Sequence, residues 1–257
     1  MRPVWTGGIS FGLIFIPVKM YTAVSTVEID LDLLSKKEKH PIRYARIDKV
    51  TGKEVAWMDV VKGFAVKKGD YVVLDDEDFE KVALHRSETI EVVSFVDKEE
   101  IDPMLFEKPY YLEPDKGASK TYYILLKALE KTGKVGVAEF IFKNREHVCC
   151  LTAENGMIIL NQMRYAAELK EAKELDIPKS AKVSDKELNL AVRLVEEMSD
   201  KFDPKDYTDD YLEALQKIIA AKKSKKHVKV KQLDKPDATD VSKIIDQLEK
   251  SLKEYSR

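Results

Sequence analysis

Cysteine is almost missing from this 257-residue chain, which holds two, the neighbours Cys149 and Cys150. Neighbours in an extended strand point to opposite faces, and no second pair exists to bridge them or to complete a zinc site. A reducing compartment is implied. Long apolar runs are missing too: the longest, Phe11 to Val18, is far short of the roughly 20 residues that cross a bilayer. No charged-then-apolar signal opens the chain, so the expectation is a soluble cytosolic protein without a membrane partner. Excess charge of either sign is also lacking, with 44 Lys and Arg against 46 Asp and Glu. That balance excludes a wholesale polyanion binder, so any nucleic-acid role must rest on local patches. Nucleotide motifs are absent as well. Thr51-Gly52-Lys53 and Thr132-Gly133-Lys134 both lack the upstream glycine of a P-loop, and neither a dinucleotide fingerprint nor paired metal ligands occur. No catalytic residue, cofactor or metal is expected.

What is present is charge segregation. Lys36 to Asp70 carries ten Lys and Arg against five acids, whereas Val73 to Asp115 carries four against fourteen. Ile42 to Ile47 reads as a strand that sends Ile42, Tyr44 and Arg46 to one face and Arg43, Ala45 and Ile47 to the other. Neither face is cleanly apolar, which suits an arm projecting from the core and lying along something anionic. A solvated basic edge that discourages aggregation is the competing reading.

Elsewhere the chain supplies a β-rich core. Met1 to Tyr21 turns apolar on both faces toward its end, as a buried strand does. Gly8-Ile9-Ser10-Phe11-Gly12 matches the G-x-S-x-G nucleophile elbow formally, but that motif needs a helix directly after it, and a β-rich run into Pro17 follows. Val55 to Leu74 continues the β pattern through a turn at Lys67-Lys68-Gly69-Asp70. The acids Asp75 to Asp78 read as the start of a short helix rather than a calcium loop, whose glycine and distal glutamate are missing. Thr89 to Val96 is a further strand, and Asp102 to Asp115 is loop-rich around Pro103, Pro109 and Pro114. Ser119 reads as the cap of a helix with Tyr122, Leu125, Leu126 and Leu129 on its core face and Gly133 as its stop. Asn155-Gly156 marks a hairpin between His147 to Ala153 and Met157 to Met163. Lys143, Arg145 and His147 share a strand face, with His147 an ordinary strand residue lacking partners of metal or triad spacing.

After Pro178 the pattern is helical. Ser184-Asp185-Lys186-Glu187 is a capping box ahead of Leu188, Ala191, Val192, Val195 and Phe202, and a second helix carries Tyr211, Leu215, Ile218 and Ile219. Lys222 to Lys231 holds six lysines and no acid, a linker in composition. Beyond it Val241, Ile244, Ile245, Leu248, Leu252 and Tyr255 form an amphipathic stripe that needs a groove on its own body or on a partner.

The segments WTGGISFGLIFIPVKMY, VVKGFAVKKGDYVVLDDEDFE, EEIDPMLFEKPYYLEPD, ALEKTGKVGVAEFIFKNREHV and FDPKDYTDDYLEALQKIIAAK, in this order, resemble bacterial Ku. The resemblance implies an α+β fold. Residues 1–180 would be a β-barrel core with a bridge at about 36–74, residues 181–222 a helical arm, and residues 223–257 a basic linker with a terminal helix. It also implies a non-enzymatic homodimer that rings double-stranded DNA ends without reading sequence and recruits a multi-domain ATP-dependent DNA ligase in double-strand break repair. The location implied is cytoplasmic and nucleoid-associated. Carried onto this chain, the phosphate contacts are Arg43, Arg46, Lys62, Lys67, Lys68 and Lys108, joined by Lys143 and Arg145, with Val241, Ile244, Ile245, Leu248 and Leu252 facing a partner. Many relatives end in a long lysine-rich tail where this chain stops at Arg257, so tail-assisted DNA binding is not expected unless Lys222 to Lys231 substitutes. Some carry paired cysteines in the stretch equivalent to Arg46 to Gly52, and here there are none, hence no metal. The rival classes are an interaction scaffold indifferent to nucleic acid and a hydrolase at Ser10.

Overall fold

A computed structural model describes residues 1–82, 88–178, 180–224 and 243–255. They fall into two compact units, Met1–Val27 with Leu31–Glu171, and Glu28–Asp30 with Ala172–Arg257. The first unit runs through β1 (Trp5–Phe11), β2 (Ile14–Thr22), β3 (Lys62–Lys67), β4 (Asp70–Leu74), the short helix α1 (Asp76–Val82), β5 (Thr89–Asp97), β6 (Phe106–Pro114), helix α2 (Ser119–Thr132), β7 (Lys134–Phe142), β8 (Arg145–Glu154) and β9 (Met157–Met163). Seven of these strands close a barrel in the order β1-β2-β6-β9-β8-β7-β5, while β3 and β4 stand apart as a two-stranded sheet.

Neighbours in the barrel are antiparallel except at the closing seam, where β5 runs parallel to β1 with Ile9 opposite Ile90. Gly7 makes that seam possible: a Cβ there would collide with the Glu88 carbonyl oxygen, a backbone atom with nowhere to go. Ser10 lies inside β1, and a two-residue turn leads into β2 instead of a helix, so the backbone lacks the strand–turn–helix of a nucleophile elbow.

The barrel interior is filled at period two. Ile9, Ile16, Val18, Met20, Ile90, Leu112, Phe140, Cys149, Leu151, Ile158 and Leu160 meet there, and α2 adds Tyr122, Leu125, Leu126 and Leu129, the face its spacing predicts. The Tyr122 hydroxyl donates to the Leu112 carbonyl at 2.8 Å and accepts from the Ile158 amide at 2.7 Å, tying β6 and β9 to the helix. Burial pushes this phenol above its ordinary pKa. Cys149 joins the main cluster, while Cys150 joins a smaller one with Ile101, Val135 and Met163, on opposite faces of β8 as expected.

Several expectations need correction. The run from Phe11 to Val18 is not buried on both faces, since Leu13 is fully exposed in the turn and Phe15 is half exposed. A single-walled barrel has only one dry side. Asp102 to Asp115 is not mainly loop: it contains β6, which tolerates Pro109 beside a bulge and Pro114 as its last residue. The cap of α2 is Ala118, one residue before Ser119, and Gly133 ends the helix with φ of 69°. Lys143 is not on the strand face of Arg145 and His147, because Lys143 and Asn144 form the β7–β8 turn with φ of 51° and 64°. Ile42 to Ile47 is not a regular strand either. It runs between two isolated bridges, Leu34 with Pro41 and Ile47 with Glu54.

The second unit contains α3 (Asp185–Glu197), α4 (Asp210–Lys223) and α5 (Ile244–Tyr255). Ser184 and Glu187 make the expected reciprocal cap, the Glu187 amide donating to Ser184 Oγ at 3.3 Å and the Ser184 amide to Glu187 Oε2 at 2.7 Å. Helix α3 packs on α5, with Lys186 Nζ 3.3 Å from Glu249 Oε1. The covered face of α3 is Leu190, Ala191 and Leu194; Leu188, Val192 and Val195 of the anticipated stripe are exposed, and Phe202 lies beyond the helix.

Candidate nucleic-acid interface

The segment from Leu31 to Lys81 holds no buried residue. Its first part is a narrow excursion. The Ile42 amide donates to the Leu33 carbonyl at 2.9 Å and the Val55 amide to the Arg46 carbonyl at 2.8 Å. At its tip the Asp48 carboxylate accepts from the Val50 and Thr51 amides at 2.8 and 2.7 Å, which holds that carboxyl below its ordinary pKa. Gly52, at φ of 69°, completes the turn. The second part is the β3–β4 hairpin, in which Phe64 opposes Val72 and Gly63 opposes Val73. Both faces of that hairpin carry exposed apolar side chains, Phe64 at 66% and Val73 at 58%. Helix α1 follows, closed by Asp75 and Asp78, each accepting from the other's amide.

Five of the candidate cations lie here. Arg43 reaches Glu54 at 4.0 Å, a pair too long and too exposed to hold it. The Arg46 guanidinium carbon sits 4.3 Å from the Trp57 ring centroid, and Lys62 Nζ sits 4.1 Å from the Phe79 ring. Lys67 ends β3 and Lys68 enters the turn with Gly69. The other three belong to the barrel. Tyr110 and Phe142 meet edge to face at 6.1 Å, and Lys108 and Lys143 lie over these two rings at 5.6 and 5.4 Å. Arg145 stands opposite Phe142 in the β7–β8 ladder. Strand pairing thus brings Lys108 to Lys143 and Arg145, which lie far from it in sequence, around one aromatic pair.

Charge pairing separates these eight cations from others in the barrel. Lys19 holds Asp115 at 3.0 Å, Lys98 holds Glu154 at 3.0 Å and Lys134 holds Asp97 at 2.8 Å. The Asp115 hydrogen bond raises Lys19 and the Lys19 bond lowers Asp115, as a made ion pair requires. Among the described residues, Arg43 is the only one of the eight with a carboxylate within 4.0 Å. Unpaired exposed cations retain their attraction for an outside anion. Beside Lys108 lies a polar network: Gln162 Nε2 donates to Glu107 at 3.0 Å and lies 3.2 Å from His147 Nδ1, whose other ring nitrogen is 3.3 Å from the Phe142 carbonyl. Satisfied on both nitrogens, His147 is structural.

Sequence reasoning missed Trp57 and Phe79, the aromatic seats of Arg46 and Lys62. A Trp in a basic stretch was the available signal. The C-terminal candidates Ile244, Ile245 and Leu248 are half buried and Leu252 is buried on α5; Val241 lies outside the described residues. No group of three or more His, Cys, Asp or Glu among the described residues is placed to hold a metal ion. Nor is any described helix long and apolar enough to cross a membrane.

Residues 10–190 match the family described as Ku, the Ku70/Ku80 beta-barrel domain. The chain belongs to the Ku family. Its relatives include proteins named non-homologous end joining protein Ku from Opitutus terrae, 40% identical over 86% of this chain and 80% of that protein, and from Archaeoglobus fulgidus, 37% identical over 98% of each. The Pseudomonas aeruginosa protein of the same name is 35% identical over 98% of this chain and 88% of its own length. The seven-stranded barrel is therefore the Ku barrel, and the Leu31–Lys81 segment is an excursion from it between β2 and β5.

Proposed function

We propose that two copies of this chain join through their 31–81 segments into a ring that receives the end of a DNA duplex. The observation that carries this reading is the segment itself, which has no buried residue, carries apolar side chains on both hairpin faces, and presents cations largely free of carboxylates. A two-stranded ribbon of this kind is marginal alone and gains stability by packing on a partner. Its apolar side chains suit a second copy, and its cations suit phosphate. In this proposal Arg43, Arg46, Lys62, Lys67 and Lys68 from each bridge, with Lys108, Lys143 and Arg145 from each barrel, touch the sugar-phosphate backbone and read no bases. The work is binding, without catalysis.

The proposed division of labour keeps residues 1–180 as barrel and bridge, 181–222 as a helical arm, and 223–257 as a basic linker with the terminal helix. That helix recruits an ATP-dependent DNA ligase through the stripe of Ile244, Ile245, Leu248 and Leu252, together with Val241. Relatives named as end-joining proteins support the repair role and a cytoplasmic site of action beside the chromosome.

The test is a gel shift on linear and covalently closed duplex of the same sequence, run beside sedimentation of the protein at micromolar concentration. Linear DNA should be bound and closed circles left free, by a protein that sediments as a dimer. Equal binding to closed circles, or a stable monomer, overturns the ring and leaves a scaffold independent of DNA ends.

A further inference from the structure

We infer that Trp57 is a positioning residue for DNA binding: its exposed indole is the seat that holds the Arg46 guanidinium ready for a phosphate. The inference rests on the reading of Arg46 as a phosphate contact and goes beyond it, since Trp57 carries no charge and itself binds no phosphate. Three observations support it. The Arg46 guanidinium carbon lies 4.3 Å from the Trp57 ring centroid, within the range of a cation–π contact. The Trp57 side chain is not core: the residue is 72% exposed and joins no buried cluster. The backbone also brings the two together deliberately. The bridge of Ile47 with Glu54 and the bond from the Val55 amide to the Arg46 carbonyl set Arg46 against the incoming chain, and Trp57 then opens a 3-10 turn closed by the Val60 amide on its carbonyl at 3.2 Å.

The chemistry of guanidinium explains what such a seat does. An arginine stacked on a ring leaves its planar edge of N–H donors free, and that edge matches two phosphate oxygens at once. A free arginine side chain loses much of its rotamer freedom when it is fixed. Stacked on Trp57, Arg46 has lost part of that freedom before DNA arrives, so less is lost on binding. Lys62 over Phe79 repeats the arrangement at the second hairpin, where a compact ammonium makes it less directional.

Because Trp57 changes readiness and not charge, its loss has a signature that loss of Arg46 does not share. In the full-length dimer, W57A should weaken linear-duplex binding about three- to tenfold at moderate salt, since the Arg46 side chain of each subunit must then be ordered when DNA binds. The slope of log K against log salt should stay unchanged, because no phosphate contact is deleted. R46A should weaken binding and flatten that slope by about 1 to 2. W57A added to R46A should cost nothing further, and W57F should recover most of the affinity. If R46A weakens binding while W57A does not, or if the two losses simply add, Trp57 does not seat Arg46 and the inference fails alone. If R46A leaves both affinity and slope intact, Arg46 is no phosphate contact and the inference fails together with the reading beneath it.

Discussion

The barrel and the bridge are built from the same chain by opposite rules. In the barrel, strands pair on both sides, apolar residues alternate inward, and Lys19, Lys98 and Lys134 are each held by a carboxylate. In the Leu31–Lys81 segment no residue is buried, β3 and β4 have only each other, and most candidate cations are unpaired. The first arrangement is complete within one chain. The second is incomplete within the chain, and under the proposed reading it is completed by apolar surface against the ribbon and by anion against the cations.

The sharpest break between the regions concerns stability. Phe140 is among the largest fully buried side chains, so Phe140→Ala should destabilise the barrel by about 3–5 kcal/mol in urea unfolding. Phe64, 66% exposed in β3, should behave differently. Phe64→Ala should leave barrel unfolding within about 0.5 kcal/mol and instead shift sedimentation toward monomer. A loss of barrel stability on Phe64→Ala would show that the bridge is part of the core.

Charge gives the next contrast. With on the order of six of the dimer's candidate cations each neutralising a phosphate, the salt slope of DNA-end binding should be about -5. Removing an unpaired bridge cation, Arg43→Ala, should flatten it by about 1 to 2, whereas Lys19→Ala, which deletes a cation already held by Asp115, should leave it unchanged. Equal slopes for both variants would mean that a cation held by a carboxylate and an unpaired one are equivalent toward DNA.

Thiol chemistry reports the barrel alone, because both cysteines lie in β8 and the bridge has none. Burial drives Cys149 well up and Cys150 from 9.0 to about 12, so neither thiol should react with a disulfide reagent at pH 8 until the barrel unfolds. A raised folded-state pKa means that the unfolded chain releases its thiol protons first. This contribution to stability is therefore complete below about pH 9 and declines as pH rises toward about 12. Rapid native-state labelling would contradict a closed barrel.

Legibility in the sequence follows the same division. Where a signal is local, it can be read directly. The α2 face of Tyr122, Leu125, Leu126 and Leu129, its Gly133 stop, the Asn155-Gly156 turn and the Ser184–Glu187 cap all depend on residues within a turn or two of one another. The misses arise where distant segments decide. Pro109 and Pro114 disguise β6 until β2 and β9 flank it. The stripe expected around Leu188, Ala191 and Val192 is covered only at Ala191, beside Leu190 and Leu194, since a helix with apolar residues on more than one face takes its buried side from the element it packs on. Ile42 to Ile47 carries strand-like residues yet finds no ladder, only bridges at its flanks.

By itself the sequence determined the family, the β-rich core, the helical C-terminal region and the charge contrast between Lys36–Asp70 and the acidic stretch after it. Composition, periodicity and caps are properties of neighbouring residues, and they survive in one dimension. Only the tertiary structure decided that the barrel closes at a parallel β1–β5 seam. It alone placed Lys108, Lys143 and Arg145 around the Tyr110–Phe142 pair and seated Arg46 on Trp57. Those placements depend on strand register and on the path of a loop through space, and a period of two or 3.6 residues carries no record of either.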